Sequence, residues 1–355
     1  MKQFLRCIFY TKVPLGGYYR YRDIFQIFPA EFDNMPKSNA STEFVNVMEL
    51  WVTKDEIDDG YPKEMESIKE VFGKFHAQTK KQDSIMSLLT VFGNNKFYNY
   101  KMEGTWAIPI MHEDYKQDEG LNARPAKWSI KTFNFPELGK QMGISDFTKM
   151  KIPPMQTVPM KEFYLMYPNL DYKRDKNIVL PETIDYLFDS YFNLPKDELE
   201  VIDVAIRHNH SAVNLHSDNK TLSLLASFTA LEALVNMENK DVKIEKCECC
   251  KQPKYGISKK FREFLLKYIG DSDDNRKKFN SYYTLRSKIV LAGRMLQTEK
   301  LYSNVSDAVF ETEAKERVEI LQIWKIALAN WLITKPYGVN EFDRMIKQLK
   351  EKYNL

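Results

Sequence analysis

The stretch YYTLRSKIVLAG, residues 282–293, places a permanent cation inside an apolar helical stripe. At helical spacing Arg286 falls on the side that carries Phe279, Tyr282, Tyr283, Ile289, Val290 and Gly293. A guanidinium cannot shed its charge, so a buried one needs a carboxylate, a phosphate or an opening to solvent. The pattern leaves two interpretations open. The arginine is either held by a core carboxylate or extended to the edge of the core, or it binds phosphate.

The opposite side of the same helix carries one apolar residue among polar ones. It reads Asn280, Thr284, Ser287, Lys288, Leu291 and Arg294. One exposed leucine is ordinary on a protein surface, so Leu291 alone predicts nothing.

This helix resembles the signature helix of the HEPN-domain ribonucleases, in particular the Apea-like group. In that group an aromatic-rich lead is followed by Arg-x-x-x-x-His and then by glycine. Here Arg286 matches the arginine, Ser287 is the polar residue after it, and Leu291 stands where the histidine is expected. The stretch LLASFTALEALV, residues 224–235, resembles the helix that supplies the group's acidic residue, which would be Glu232. The resemblance covers roughly residues 182–335.

The resemblance implies a metal-independent endoribonuclease of antiphage or toxin type, in which a homodimer forms one shared cleft. The implied substrate is single-stranded RNA or a tRNA loop, attacked by its own 2′-OH, and a phage-derived trigger would activate the enzyme. Arg286 would hold the phosphate and stabilise its growing charge. Ser287 would add a hydrogen bond, and Glu232 would orient or neutralise Arg286. Lys288 and Arg294 would steer the RNA.

Leucine at position 291 removes the proton transfer that the implied chemistry needs. An imidazole titrates near neutral pH and can act as general acid or base, a contribution of about 10²–10⁴-fold. Because a leucine side chain has no proton to exchange, the sequence predicts a chain that is inactive or nearly so. The leucine was either introduced so that a toxic nuclease could be produced, or it is natural in a pseudo-enzyme.

Two further classes of function stay open. One is a non-catalytic module that uses the same basic cleft to bind RNA, a nucleotide or a partner protein. The other is a structural interaction protein linked by zinc, because Cys247-x-x-Cys250 has the spacing with which two thiolates reach one zinc ion. Free reduced thiols and a redox role are the alternatives, since neither Cys249 nor the pair His208 and His210 provides an evident further ligand.

The composition limits the classes of protein to which this chain can belong. The chain has 355 residues, of which 43% are hydrophobic and 28% charged, the balance of a soluble globular protein with roughly two domains. The formal net charge is only +3, but basic residues clearly outnumber acidic ones between Lys243 and Lys300. The sequence has neither a bilayer-length apolar run nor a signal peptide, and its four cysteines do not form a disulfide pattern. We therefore expect a cytoplasmic protein.

The secondary structure predicted from the sequence indicates an α+β fold. Residues 1–150 are expected to form a β-rich sensing or regulatory domain, with strands at 43–52 and 127–133 and a helix over 65–75. A hairpin is predicted from SIMSLLTVF (84–92) and KFYNY (96–100). Prolines mark 151–181 as a linker. Periodicity predicts a helical bundle over 182–335, with its last helices at 196–215, 220–237, 258–269, 274–293 and 306–333, and a helical tail over 336–355.

Overall fold

The computed structural model describes residues 2–30, 43–58, 66–99, 105–111, 128–134, 143–166, 176–240, 256–300 and 305–335. The chain divides into two compact units. The first contains residues 1–89, 95–157 and 169–180, and the second contains 90–94, 158–168 and 181–355. The first unit is built on a β-sheet and the second on helices, so the predicted α+β class, with a β-rich region followed by a helical one, is confirmed.

The first unit is built around an antiparallel sheet. The strands of this unit are β1 (Lys2–Thr11), β2 (Tyr19–Tyr21), β3 (Phe25–Pro29), β4 (Phe44–Thr53), β5 (Phe97–Tyr98), β6 (Thr105–Met111), β7 (Trp128–Asn134) and β8 (Gly143–Ile144). The spatial order is β2-β3-β4-β1-β5, and β8 pairs with a separate part of β1. β6 and β7 form a separate antiparallel pair. The strands predicted at 43–52 and 127–133 are thus confirmed as β4 and β7.

The long pairing of β1 with β4 buries a carboxylate at its centre. Both strands are rich in aromatic and β-branched residues, which favour a pleated, half-buried surface. The Glu49 side chain is fully buried and accepts hydrogen bonds from Arg6, Gln26 and Thr148. Because both carboxylate oxygens have donors, the buried charge is satisfied and fixes the centre of the sheet.

Two helices follow β4, and the second corrects the sequence prediction. They are α1 (Lys54–Asp58) and α2 (Glu66–Phe92). The helix predicted over 65–75 is confirmed, but the hairpin predicted from 84–92 and 96–100 is wrong, because 84–92 continues α2. The end of this helix is buried at Ile85, Met86, Leu88, Leu89, Val91 and Phe92. A helix buried on nearly every side has no apolar period, so a short apolar run does not distinguish it from a strand.

The second unit is a helical bundle. Its main helices are α3 (Met160–Leu165), α4 (Ile184–Phe192), α5 (Lys196–Asn214), α6 (Lys220–Glu238), α7 (Ile257–Ile269), α8 (Asp273–Val290) and α9 (Asp307–Ile333). The last five match the predicted helices to within a few residues, and the tail predicted over 336–355 lies outside the described residues. None of the helices in the described part of the chain has the length and apolarity that crossing a bilayer requires.

Small residues and a shared carboxylate hold the helices of the bundle together. α5 and α6 approach closely, since Ser223 Oγ on α6 donates to Ala212 O on α5 at 2.6 Å. At the end of α6, Glu238 accepts hydrogen bonds from Tyr268 Oη on α7 at 2.9 Å and from Trp331 Nε1 on α9 at 3.1 Å. Glu238 therefore ties three helices together, and α6 is held in place at both its ends.

α9 also buries an amine that the sequence pattern does not predict. Lys325 Nζ donates to Thr90 O and to Asn94 Oδ1, each at 3.1 Å. Thr90 lies in the last turn of α2, where backbone carbonyls lack helical partners, so Lys325 caps that helix end. Burial lowers the pKa of Lys325 from its ordinary value to about 7. The bundle thus contains a buried lysine that holds a proton only weakly at neutral pH.

Candidate functional site

The candidate site is an ion pair between α8 and α6. Arg286 Nη2 donates to Glu232 Oε2 at 2.9 Å, and Arg286 Nε faces Glu232 Oε1. The side chains are 16% and 23% exposed, respectively. The two interpretations of Arg286 are therefore compatible, because a carboxylate holds the guanidinium and part of the side chain still reaches solvent.

Glu232 fixes both the charge and the direction of Arg286. The hydrogen bond that Arg286 donates to Glu232 raises the pKa of Arg286, and this effect outweighs the lowering caused by partial burial. Since an arginine pKa already lies far above neutrality, the guanidinium is charged at every physiological pH. The site therefore offers a permanent cation in a fixed orientation.

Local signals set the bounds of the helix that carries Arg286. Ser272 caps the start of α8, with its side chain accepting from Asn275 N at 3.1 Å, and two aspartates occupy the first turn. After the last helical residue, Gly293 adopts a φ of +60°, a conformation that glycine tolerates best. Leu291 lies between the last helical residue, Val290, and Gly293. It forms the carboxyl-terminal cap of α8, and its side chain is 76% exposed. The position expected to hold a histidine is thus open to solvent.

The apolar stripe predicted on α8 is largely confirmed. Phe279, Tyr282 and Ile289 are buried, and Tyr283 is half-buried beside Arg286. Val290 differs, because it lies in the last turn next to Leu291 and is exposed. The stripe therefore ends before the helix does.

The remaining polar candidates, on α8 and just after it, face solvent or the helix itself. Ser287 Oγ donates to Tyr283 O at 3.0 Å, so its proton is used within the helix. Lys288 and Arg294 are exposed, and neither forms an ion pair with another described residue. Their charges are therefore available to an anionic partner.

Leu291 is one of several exposed large apolar residues near the end of α8 and the starts of α6 and α9, and we call this set the apolar patch. Its members are Leu222, Val290, Leu291, Met295, Val309 and Phe310, all exposed. Two contacts bring the start of α6, the segment after α8 and the start of α9 together: Leu296 N donates to Thr221 Oγ1 at 3.0 Å, and Lys220 Nζ lies 5.0 Å from the Phe310 ring centroid. Sequence analysis identified only Leu291 as an exposed apolar residue, because the members of the patch come from separate parts of the sequence.

Two carboxylates hold the segment that carries Met295. Glu299 accepts from Lys220 N at 2.5 Å and from Thr221 N at 2.6 Å, and so caps the start of α6. Glu313 on α9 accepts from Gln297 N at 2.7 Å and from Thr298 N at 3.1 Å. The chain that follows Leu291 is therefore fixed against both neighbouring helices.

The structure does not describe the cysteines of the predicted zinc half-site. Cys247, Cys249 and Cys250 lie outside the described residues, so the zinc half-site stays a prediction. Of the histidines, His210 Nδ1 shares a hydrogen bond with Thr90 Oγ1 at 3.1 Å, away from Arg286 in the sequence and on a different helix. Within the described ranges, no three or more histidine, cysteine, aspartate or glutamate side chains are grouped so that they could hold a metal ion.

Comparison with family models, with curated proteins and with solved structures found no match to this chain.

Proposed function

We propose that the helical unit is a HEPN-type endoribonuclease module of antiphage or toxin type that binds RNA at Arg286 and that Leu291 leaves without its proton-transfer group. The observation that carries this proposal is the Arg286–Glu232 ion pair, which joins the two helices that resemble the family's signature helices. Glu232 faces Nε and Nη2 of Arg286, the side chain is partly exposed, and a guanidinium is suited to binding phosphate bidentately. The proposed setting is the cytoplasm, where RNA and a phage-derived trigger would both be available.

The proposed reaction is transesterification within the RNA strand. The 2′-oxygen attacks the adjacent phosphorus while its proton passes to a base, and the 5′-oxygen leaves with a proton from an acid. Arg286 stabilises the charge that grows on the non-bridging oxygens. The exposed Lys288 and Arg294 raise the local concentration of the anionic substrate. No step uses a metal, and zinc bound at Cys247 and Cys250 would be structural.

The RNA-binding part of the proposal is tested by Arg286→Ala. We expect the dissociation constant for a short single-stranded RNA, measured by fluorescence anisotropy, to rise about tenfold or more, because a charge-assisted bidentate contact is lost. The slope of log affinity against log salt should fall by about one. Arg276→Ala is the matched control, since Arg276 is an exposed arginine on the same helix. Equal affinities for all three proteins would remove the proposal.

We further propose that the apolar patch is where two copies of the chain meet. Exposed apolar surfaces of several large side chains mark interaction sites, and this one lies at the end of the helix that carries Arg286. A dimer formed there would place two Arg286 side chains near one shared interface, as the resemblance implies.

Met295→Asp tests this surface without touching the Arg286–Glu232 pair. Burying a methionine contributes about 1.5–3 kcal/mol, so a charge in its place should raise the dimer dissociation constant by at least about tenfold. Light scattering after size exclusion measures the change. Val204→Asp is the control, since Val204 on α5 is 50% exposed, close to Met295 at 53%, but lies outside the patch. Unchanged mass for Met295→Asp, or equal loss in both variants, would rule out this interface.

The second candidate function is a non-catalytic module that binds RNA, a nucleotide or a partner protein. The exposure of Leu291 favours it, because this leucine extends the apolar patch. Such a module would keep Arg286-dependent binding and gain no cleavage when position 291 is given an imidazole.

A further inference from the structure

Tyr283 lies beside Arg286 and has one free polar group. It precedes Arg286 by three residues, so the two side chains share one side of α8. Its ring packs against Phe261 of α7, with centroids 5.6 Å apart and planes inclined by 59°. Tyr283 is also close enough to the guanidinium to contribute to the raised pKa of Arg286. Tyr283 is therefore fixed by its ring and placed near the cation.

The hydroxyl of Tyr283 differs from those of neighbouring tyrosines. Tyr282 Oη donates to Glu319 Oε2 at 2.5 Å, and Tyr268 Oη donates to Glu238 Oε1 at 2.9 Å. Tyr283 Oη, in contrast, makes no hydrogen bond with any residue in the described ranges. The hydroxyl of a half-buried tyrosine without a protein partner is available to a ligand.

Ser287 does not fill this role in the structure. Its hydroxyl proton is directed to Tyr283 O within the helix. The resemblance assigned the additional hydrogen bond to Ser287, but the free donor beside Arg286 belongs to Tyr283.

We propose that Tyr283 is a second RNA-binding residue, whose phenol hydroxyl donates a hydrogen bond to a non-bridging oxygen of the phosphate held by Arg286. This inference rests on the proposed function of the site. The hydroxyl is assigned, and not the ring face, because the ring already packs against Phe261. Arg286 supplies the charge and Tyr283 a directional neutral donor, and together they orient one phosphate.

The test is Tyr283→Phe, which removes the hydroxyl and keeps the ring. We expect the dissociation constant for a short single-stranded RNA to rise about tenfold, since a hydrogen bond to a charged group is lost. The salt dependence of binding should not change, because no charge is removed. The melting temperature should also stay unchanged, because the hydroxyl has no partner within the described protein.

Tyr282→Phe is the matched control, since it makes the same change one residue earlier. It should lower the melting temperature, through loss of the bond to Glu319, and leave RNA affinity unchanged. Native affinity in Tyr283→Phe together with weakened binding in Arg286→Ala overturns this inference and leaves the proposed function standing. Native affinity in both overturns the two together. A fall in melting temperature for Tyr283→Phe equal to that for Tyr282→Phe would show a structural role and would also overturn the inference.

Discussion

Leu291→His is expected to raise the rate of RNA cleavage by about 10²–10⁴-fold over the native chain, the usual contribution of a general acid or base. Position 291 caps the end of α8 and is open to solvent, so an imidazole fits there without displacing other side chains. It would also lie five residues after Arg286, at the spacing that the family signature has. The negative end of the helix dipole favours a protonated imidazole, which suits donation of a proton to the leaving oxygen.

The assay follows cleavage of a labelled RNA and sequences the ends, which should carry cyclic phosphates. Leu291→Gln is the matched control, because it adds polarity at the same position without a group that titrates near neutral pH. Met295→His places an imidazole elsewhere in the apolar patch and should stay inactive. Adding Arg286→Ala to Leu291→His should abolish the gained activity. An inactive Leu291→His variant that still binds RNA through Arg286 would favour the non-catalytic module over the nuclease.

The second large effect concerns stability and Lys325. Burial lowers the pKa of this lysine from 10.5 to about 7, which corresponds to about 5 kcal/mol between the two protonation states. Below pH 7 the native and the unfolded chain both hold the proton, and the native state carries the full cost of burying the charge. Between pH 7 and 10.5 only the unfolded chain holds it. Between pH 7 and 10.5 the free energy of unfolding should therefore rise by up to about 1.4 kcal/mol for each pH unit.

Comparison with Lys325→Met isolates this dependence from other titrating groups. The difference in unfolding free energy between the native chain and Lys325→Met, measured by denaturant titration, should shift in favour of the native chain as the pH rises from 7 to 10. Lys259→Met is the control, since Lys259 is 68% exposed and its removal should leave the pH profile unchanged. Parallel profiles for the native chain and Lys325→Met would show that the lysine stays charged when buried.

Much of the helical unit follows from local sequence. α5 to α9 are long, uninterrupted periodic segments, and residues such as Ser272 and Gly293 mark where α8 begins and where the chain turns after it. The end of α2 was missed because its apolar residues have no period once the helix is buried on nearly every side. Periodicity therefore identifies helices at the edge of a core more reliably than helices inside it.

Local sequence patterns predict only part of the candidate site. Periodicity predicts that Arg286 needs a partner but does not specify which of 49 acidic residues provides it, and the resemblance alone singled out Glu232. The burial of Lys325 could not be predicted, because its acceptors lie on Thr90 and Asn94. These residues precede it by 235 and 231 positions in the sequence. The apolar patch was missed for the same reason, since its residues come from three separate helix ends.

The division of the chain has a practical consequence for experiments on the helical unit. Residues 90–94 belong to it although they lie far upstream of its other helices, and they carry both acceptors of the Lys325 amine. A truncated protein that starts at residue 182 would lack both acceptors and leave a solvent-excluded cation uncompensated. Functional dissection of this molecule therefore calls for point substitutions in the intact polypeptide, because cutting at the proline-rich stretch discards part of the fold it aims to isolate.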